Sequence, residues 1–225
     1  MNKNLLWAVG ALSVLFLGYY LLDQNESVTP VTPVEDTSMS FFITSTNTGK
    51  GGDLGGLVGA DAYCTTLAEA VGVTGKTWKA YLSTTGEGGV NARDRIGTGP
   101  WFNSAGQLIA RTLEDLHGEN QLSKITALNE KGEQVSGRGE PVNMHDILTG
   151  SLADGRASTT ATTDTTCANW TSSTTGSAIV GHHDRVGINE TAPMKSWNSS
   201  HGTRGCDMES IKGTGGAGLF YCFAQ

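Results

Sequence analysis

Hydrophobic residues fall into three regimes along the chain. Residues 5–22 (LLWAVGALSVLFLGYYLL) form an uncharged, mostly apolar run of 18, just long enough to cross a hydrocarbon core as a helix. Lys3 precedes the run and Asp23 and Glu26 follow it, which orients the amino terminus towards the cytoplasm and the remainder outside. The run ends in Gly18-Tyr19-Tyr20-Leu21-Leu22 rather than in small residues of the A-x-A type, and no Cys lies near it for acylation. Residues 1–22 are therefore expected to be an uncleaved transmembrane signal anchor. Residues 23–38 lose apolar periodicity and turn to Ser, Thr, Val, Pro and acids; Pro30 and Pro33 favour extended backbone and predict a semi-stiff linker.

From residue 39 short periodic segments alternate with long irregular ones. Residues 41–44 (FFIT) predict a strand, and Trp78, Ala80 and Leu82 share one face of another. Between them Leu57, Ala60, Cys64, Leu67, Ala68 and Val71 recur at three and four residues, predicting a helix near 57–72 with Cys64 on its buried stripe. Residues 86–155 are loop-rich, with a hairpin expected over 125–135. Segments 167–170 and 177–181 are expected to complete the sheet. The final run, 218–223 (GLFYCF), is apolar throughout and predicts a central strand buried on both faces. Trp78, Trp101, Trp170 and Trp197 are the expected core anchors. The pattern predicts an α+β domain over 39–225: a mixed, mainly antiparallel sheet, one main helix and long loops.

Charge narrows the partners. Lys plus Arg is 15 against 22 Asp plus Glu, a net charge of −7, which excludes a nucleic-acid partner because that affinity comes from Lys and Arg neutralising phosphates. Cys64, Cys167, Cys206 and Cys222 all follow the apolar run at long spacings, a pattern of exported disulfides rather than of a zinc loop. Spacing alone leaves three connectivities. Placing Cys64 on the helix and Cys222 in the last strand favours a Cys64–Cys222 bridge, which leaves Cys167 for Cys206.

Recognisable catalytic motifs are missing: G-x-S-x-G, H-E-x-x-H and D-x-D-x-D-G do not occur. The Gly-rich stretch at 48–56 does not satisfy G-x-G-x-x-G, and Gly75-Lys76-Thr77 has no earlier glycine at the spacing a phosphate loop needs. All five histidines, His117, His145, His182, His183 and His201, lie in the second half, with Asp146 and Asp184 adjoining. They read either as loop histidines bonded to backbone or as a cluster using imidazole nitrogen and carboxylate. Arg93, Asp94 and Arg95, and Asp184 with Arg185, are expected to be internal ion pairs clamping loops. The Ser/Thr runs at 158–166 and 171–177 are expected in solvated loops, able to present hydroxyls to sugars.

Gly59-Ala60-Asp61 with Cys64, Ala70-Val71-Gly72, Ala80-Tyr81-Leu82-Ser83, Gly150-Ser151, Asp154-Gly155-Arg156, Cys167 with Trp170, Cys206 and Cys222 stand in an order and spacing that resembles the endostatin domain of collagens XV and XVIII. The resemblance spans residues 40–225 and is closer still to bacterial endostatin-like, lectin-like surface proteins. It implies a C-type-lectin-like fold of the endostatin type with nested bridges Cys64–Cys222 and Cys167–Cys206. The heparin surface and amino-terminal histidine zinc site of vertebrate endostatin do not carry over, because this chain is acidic and has no His before His117. Glu140-Pro141-Val142-Asn143 and Trp197-Asn198-Ser199 fall short of the sugar-binding calcium motifs of C-type lectins, though they keep oxygen ligands suited to calcium.

The resulting expectation is a membrane-anchored, non-catalytic recognition domain facing the periplasm or exterior. It would bind a glycan or an extracellular or envelope protein through Glu140, Asn143, His145, Asp146, His183, Asp184, Trp197 and Asn198. No cofactor is expected beyond weakly indicated calcium. The alternatives are a structural or self-assembling envelope component and an envelope hydrolase using the His/Asp cluster.

Overall fold

The last strand organises the molecule. In the computed structural model, which describes residues 35–161 and 163–225, β8 (Gly216–Ala224) pairs antiparallel with β1 (Phe41–Ile43) and β2 (Trp78–Ala80) and parallel with β5 (Asp146–Leu148). Since β1 and β2 meet the same residues of β8, they lie on its opposite edges. The sheet continues outward through β6 (Ile179–His182) to β7 (His201–Gly202), in the order β1-β8-β5-β6-β7. A separate two-stranded ladder joins β3 (Trp101–Phe102) to β4 (Leu108–Ala110). The expected anchor at 1–22 lies outside the described residues; among the described residues no helix is long and apolar enough to cross a membrane.

Both faces of β8 are buried, as its unbroken apolar run predicts. Phe220, Cys222 and Ala224 join Phe42, Trp78 and Trp170 in one core cluster. Leu219, Tyr221 and Phe223, one residue out of phase, join Phe41, Tyr81, Trp101 and Trp197 in the other. The main helix, α1 (Gly56–Ala70), covers the first face. Its buried positions, Ala60, Cys64 and Ala68, are spaced by four and are small, so the helix packs close enough for the Cys64–Cys222 bridge. Leu57 and Leu67 flank the contact half-buried, and Val71 of the expected stripe is exposed just past the helix end. Asp61 fixes the helix to β2, taking both Arg95 Nη2 and Lys79 Nζ at 2.9 Å and the Ala80 N–H.

Two local expectations are corrected. Residues 167–170 are not a strand: α3 (Cys167–Trp170) is a left-handed turn with φ of 49 to 67°. Left-handed backbone costs non-glycine residues roughly 1–2 kcal/mol each; here Asp164 accepts from Thr166 N and Ala168 N, Thr166 Oγ1 accepts from Asn169 N, and the Cys167–Cys206 bridge holds the turn in place. The hairpin over 125–135 contracts to one bridge between Leu128 and Gln134, because Asn129 Oδ1 caps Lys131 N and Glu133 N into a side-chain-closed turn. Two short helices complete the unit: α2 (Leu113–His117) and α4 (Met208–Lys212), capped by Thr112 and Asp207.

Candidate functional site

Strand register assembles the first candidate site. Asp146 stands directly opposite His182 across the β5–β6 ladder, and His201 pairs with Val180, two residues before His182 and so on the same face. His145 precedes β5 and folds back over this group. Gly215 permits it: at φ +118°, a Cβ there would lie 2.8 Å from the His145 ring.

Three imidazoles meet one carboxylate oxygen. Asp146 Oδ1 lies 3.1 Å from His145 Nε2, 3.3 Å from His182 Nε2 and 3.5 Å from His201 Nε2, while His182 Nε2 and His201 Nε2 are 3.1 Å apart. The His145 and His182 rings stack at 4.2 Å. Asp146, His145 and His182 are buried, and the His201 side chain is 30% exposed. The contacts to Asp146 are short but not in line: both of its carboxylate oxygens are buried without a hydrogen-bond partner, as is His145 Nδ1. On the outer edges of the rings, His182 Nδ1 donates to Met194 O at 2.7 Å and Asp184 Oδ1 stands 3.5 Å from His145 Nδ1.

Electrostatics follow from that crowding. Burial alone would raise the Asp146 carboxyl, but the three imidazoles outweigh it and hold it far below the usual carboxylate range. Burial opposes charge on His145 as well, yet Asp146 and Asp184 on its two edges push it up to about 9. Asp146 also raises His201. Burial drives His183 the other way, down to about 4.

The residues expected from the sequence divide among different places. His145 and Asp146 enter the cluster, and Asp184 supports it from behind while accepting from Arg138 N and Val186 N. His183 points elsewhere, with Nε2 on Ser136 O. His182 and His201 take its place. Glu140 is exposed and pairs with Lys124; Asn143 Oδ1 accepts from His145 N; and Asn198 is buried, donating to Tyr81 Oη and the carbonyls of Leu152 and Ala153. Asn198 Oδ1 accepts from Ser196 Oγ, so the Glu140, Asn143 and Asn198 oxygens of the calcium-like motifs are engaged with separate partners. Trp197 is buried between Tyr81 and Tyr221, with ring centroids 4.8 and 5.2 Å away. Of the expected charge clamps, Arg95 pairs with Asp61, Arg93 instead donates to Asp154 O, and Arg185 holds the Leu122 and Lys195 carbonyls.

A second candidate lies at the other end of the domain. Thr84, Thr85, Gly86, Gly89 and Asn91 face Ala157, Ser158, Thr159, Ala161 and Thr163 across a cleft of about 500 Å³. Its near wall is rigid. Thr84 N and Thr84 Oγ1 bond the two sides of the 84–90 turn through Val90, Thr85 exchanges bonds with the Asn169 amide, and Trp170 Nε1 donates to Ser83 O. Of these residues only the Ser/Thr run beginning at 158 stands out in the sequence; Thr84, Thr85 and Asn91 belong to no motif.

No family model and no curated protein matches the chain. Two disulfides, Cys64–Cys222 and Cys167–Cys206, bridge all four cysteines, the state expected of an oxidising extracytoplasmic environment.

Proposed function

We propose that residues 39–225 are a non-catalytic, extracytoplasmic recognition domain of the endostatin type, tethered through residues 1–22, that binds a neutral glycan. One observation carries this reading. The cleft between the 84–91 turn and the strip beginning at Ala157 is lined by the hydroxyls of Thr84, Thr85, Ser158 and Thr159, of which Thr84 and Ser158 accept from backbone N–H groups and keep the hydroxyl proton to donate. Asn91 ties the two walls together through Asp94 and Ala157 N; among the described residues none of the lining side chains is a carboxylate, imidazole or thiol. Such a surface can exchange hydrogen bonds with sugar hydroxyls but supplies no general acid or base, and so nothing to activate a Ser or Thr hydroxyl as a nucleophile. No aromatic ring of the described residues lines it, so binding rests on hydrogen bonds and gains from multivalent display.

The test is a glycan array probed with the full chain displayed multivalently, beside a Thr85→Ala/Thr159→Ala variant. Retention of neutral glycans by the parent and its loss in the variant supports the reading. Retention of no glycan, or equal retention by both, overturns it; capture of an envelope protein in its place would move the function to protein recognition.

A further inference from the structure

We propose that His145, Asp146, His182 and His201 form a closed binding site for one divalent transition-metal ion, zinc being the best fit. The inference is independent of the cleft at the other end of the domain.

Donor spacing is the first ground. Ligand atoms on a tetrahedron around zinc, at about 2.0–2.1 Å from the metal, lie roughly 3.3 Å from one another. His145, Asp146 and His182 offer donors that all lie within 4.8 Å of one another, with Asp146 Oδ1 3.1 and 3.3 Å from the two imidazoles. His201 Nε2 stands beside two of them, 3.1 Å from His182 Nε2 and 3.5 Å from Asp146 Oδ1, and becomes the fourth ligand by moving in towards His145. The second ground is what the donors do not do. Asp146 is buried with both oxygens unpartnered although three imidazole nitrogens surround it, so none of the rings is aimed at its carboxylate, and the one hydrogen bond within the group runs between His182 Nε2 and His201 Nε2. Leaving such an acceptor buried and unsatisfied is costly, and an ion at that point satisfies it. The third is ring orientation. His182 Nδ1 is fixed by Met194 O and His145 Nδ1 faces Asp184, so both rings turn Nε2 inward, as outer partners of metal-bound histidines do.

Donor chemistry selects the metal class. Three imidazoles and one carboxylate suit zinc and its borderline neighbours, whereas calcium and magnesium call for oxygen sets. Four side chains fill a tetrahedral shell and leave no position for water, so the ion would serve structurally, tying β5, β6 and β7 together. The site sits in the carboxyl-terminal half of the chain.

The experiment measures metal on the full chain. After chelation and dialysis, the chain is titrated with Zn²⁺ and, separately, with Co²⁺, whose visible spectrum distinguishes four-coordinate from octahedral binding. The expected result is one ion per chain with a four-coordinate Co²⁺ spectrum. Asp146→Asn and His201→Ala should weaken binding by more than about 10- to 100-fold, the usual cost of losing an outer partner alone. His201 is partly exposed, so its variant tests the ligand set even if Asp146→Asn fails to fold. Absence of stoichiometric binding by the parent, an octahedral Co²⁺ spectrum, or unchanged affinity in folded His201→Ala would overturn the proposal.

Discussion

Asp184 Oδ1 lies 3.5 Å from Nδ1 of His145, on the opposite edge of the ring from the Nε2 that faces Asp146. A carboxylate there sets which nitrogen carries the proton and makes the inward one more basic. Asp184→Asn is therefore expected to keep the metal stoichiometry while lowering Zn²⁺ affinity about 10- to 100-fold. Competition titration against a chromophoric chelator measures it; unchanged affinity would reduce Asp184 to a backbone cap for Arg138 and Val186.

The two bridges are nested, with sequence separations of 158 and 39 residues. Taken singly in the chain-entropy model they contribute roughly 5 and 4 kcal/mol. Cys64→Ala/Cys222→Ala is expected to cost less than its single-loop figure, because the inner bridge already shortens the outer loop. Urea unfolding of each double variant, and of the chain lacking all four cysteines, measures the non-additivity.

Helix α1 is bound to β2 through one carboxylate. Removing it by Asp61→Ala strands the mostly buried Arg95 and is expected to cost about 3 kcal/mol, whereas Lys79→Ala, which removes a more exposed partner, should cost under about 1 kcal/mol. Comparison of denaturation midpoints decides; equal costs would mean that the Arg95 pair contributes nothing special.

A polarised chain of hydrogen bonds ends at His117. Asn198 Nδ2 donates to Tyr81 Oη, Tyr81 Oη lies 2.8 Å from His117 Nε2, and His117 Nδ1 lies 2.7 Å from Leu113 O, so the ring donates from Nδ1, and when neutral it accepts the Tyr81 hydroxyl proton at Nε2. Burial, first among the causes, holds its pKa below the ordinary value. The folded chain thus binds fewer protons than the unfolded one, and this stability is present above about pH 6.5 and lost as pH falls from there towards the depressed folded value. Wild-type stability should decline with acidification below about pH 6.5 more steeply than that of His117→Gln, as read from urea midpoints at a series of pH values. His183 and the metal ligands add slopes of their own to both proteins, so the difference between the two isolates His117.

Much of the framework was legible in one dimension. Strands 41–43, 78–80 and the apolar carboxyl-terminal run show themselves through period and composition, and an apolar stripe from Leu57 to Val71 announces the helix that carries Cys64. Placing Cys64 on a helix and Cys222 on a central strand favours their bridge among three connectivities, and the endostatin resemblance implies the same nested pair that the structure forms. The left-handed turn at 167–170 was not legible, because its backbone is held by Asp164, Thr166 and a bridge to Cys206 against the intrinsic preference of Cys167, Ala168 and Trp170.

Local pattern by itself determined the α+β class, the doubly buried last strand, the disulfide-stapled and acidic character of the domain, and the candidacy of the His and Asp residues. Only the tertiary structure decided which histidines act together. His182 closes β6 directly opposite Asp146, whereas His183 opens the turn that follows, so the choice between them rests on the cross-strand register and on where the ladder ends, which a shift of one residue would change. Likewise the cleft brings Thr84 and Thr159 to one place from distant parts of the chain, a proximity held by the bond from Ala157 N to Asn91 Oδ1 between the two loops and not legible in either segment.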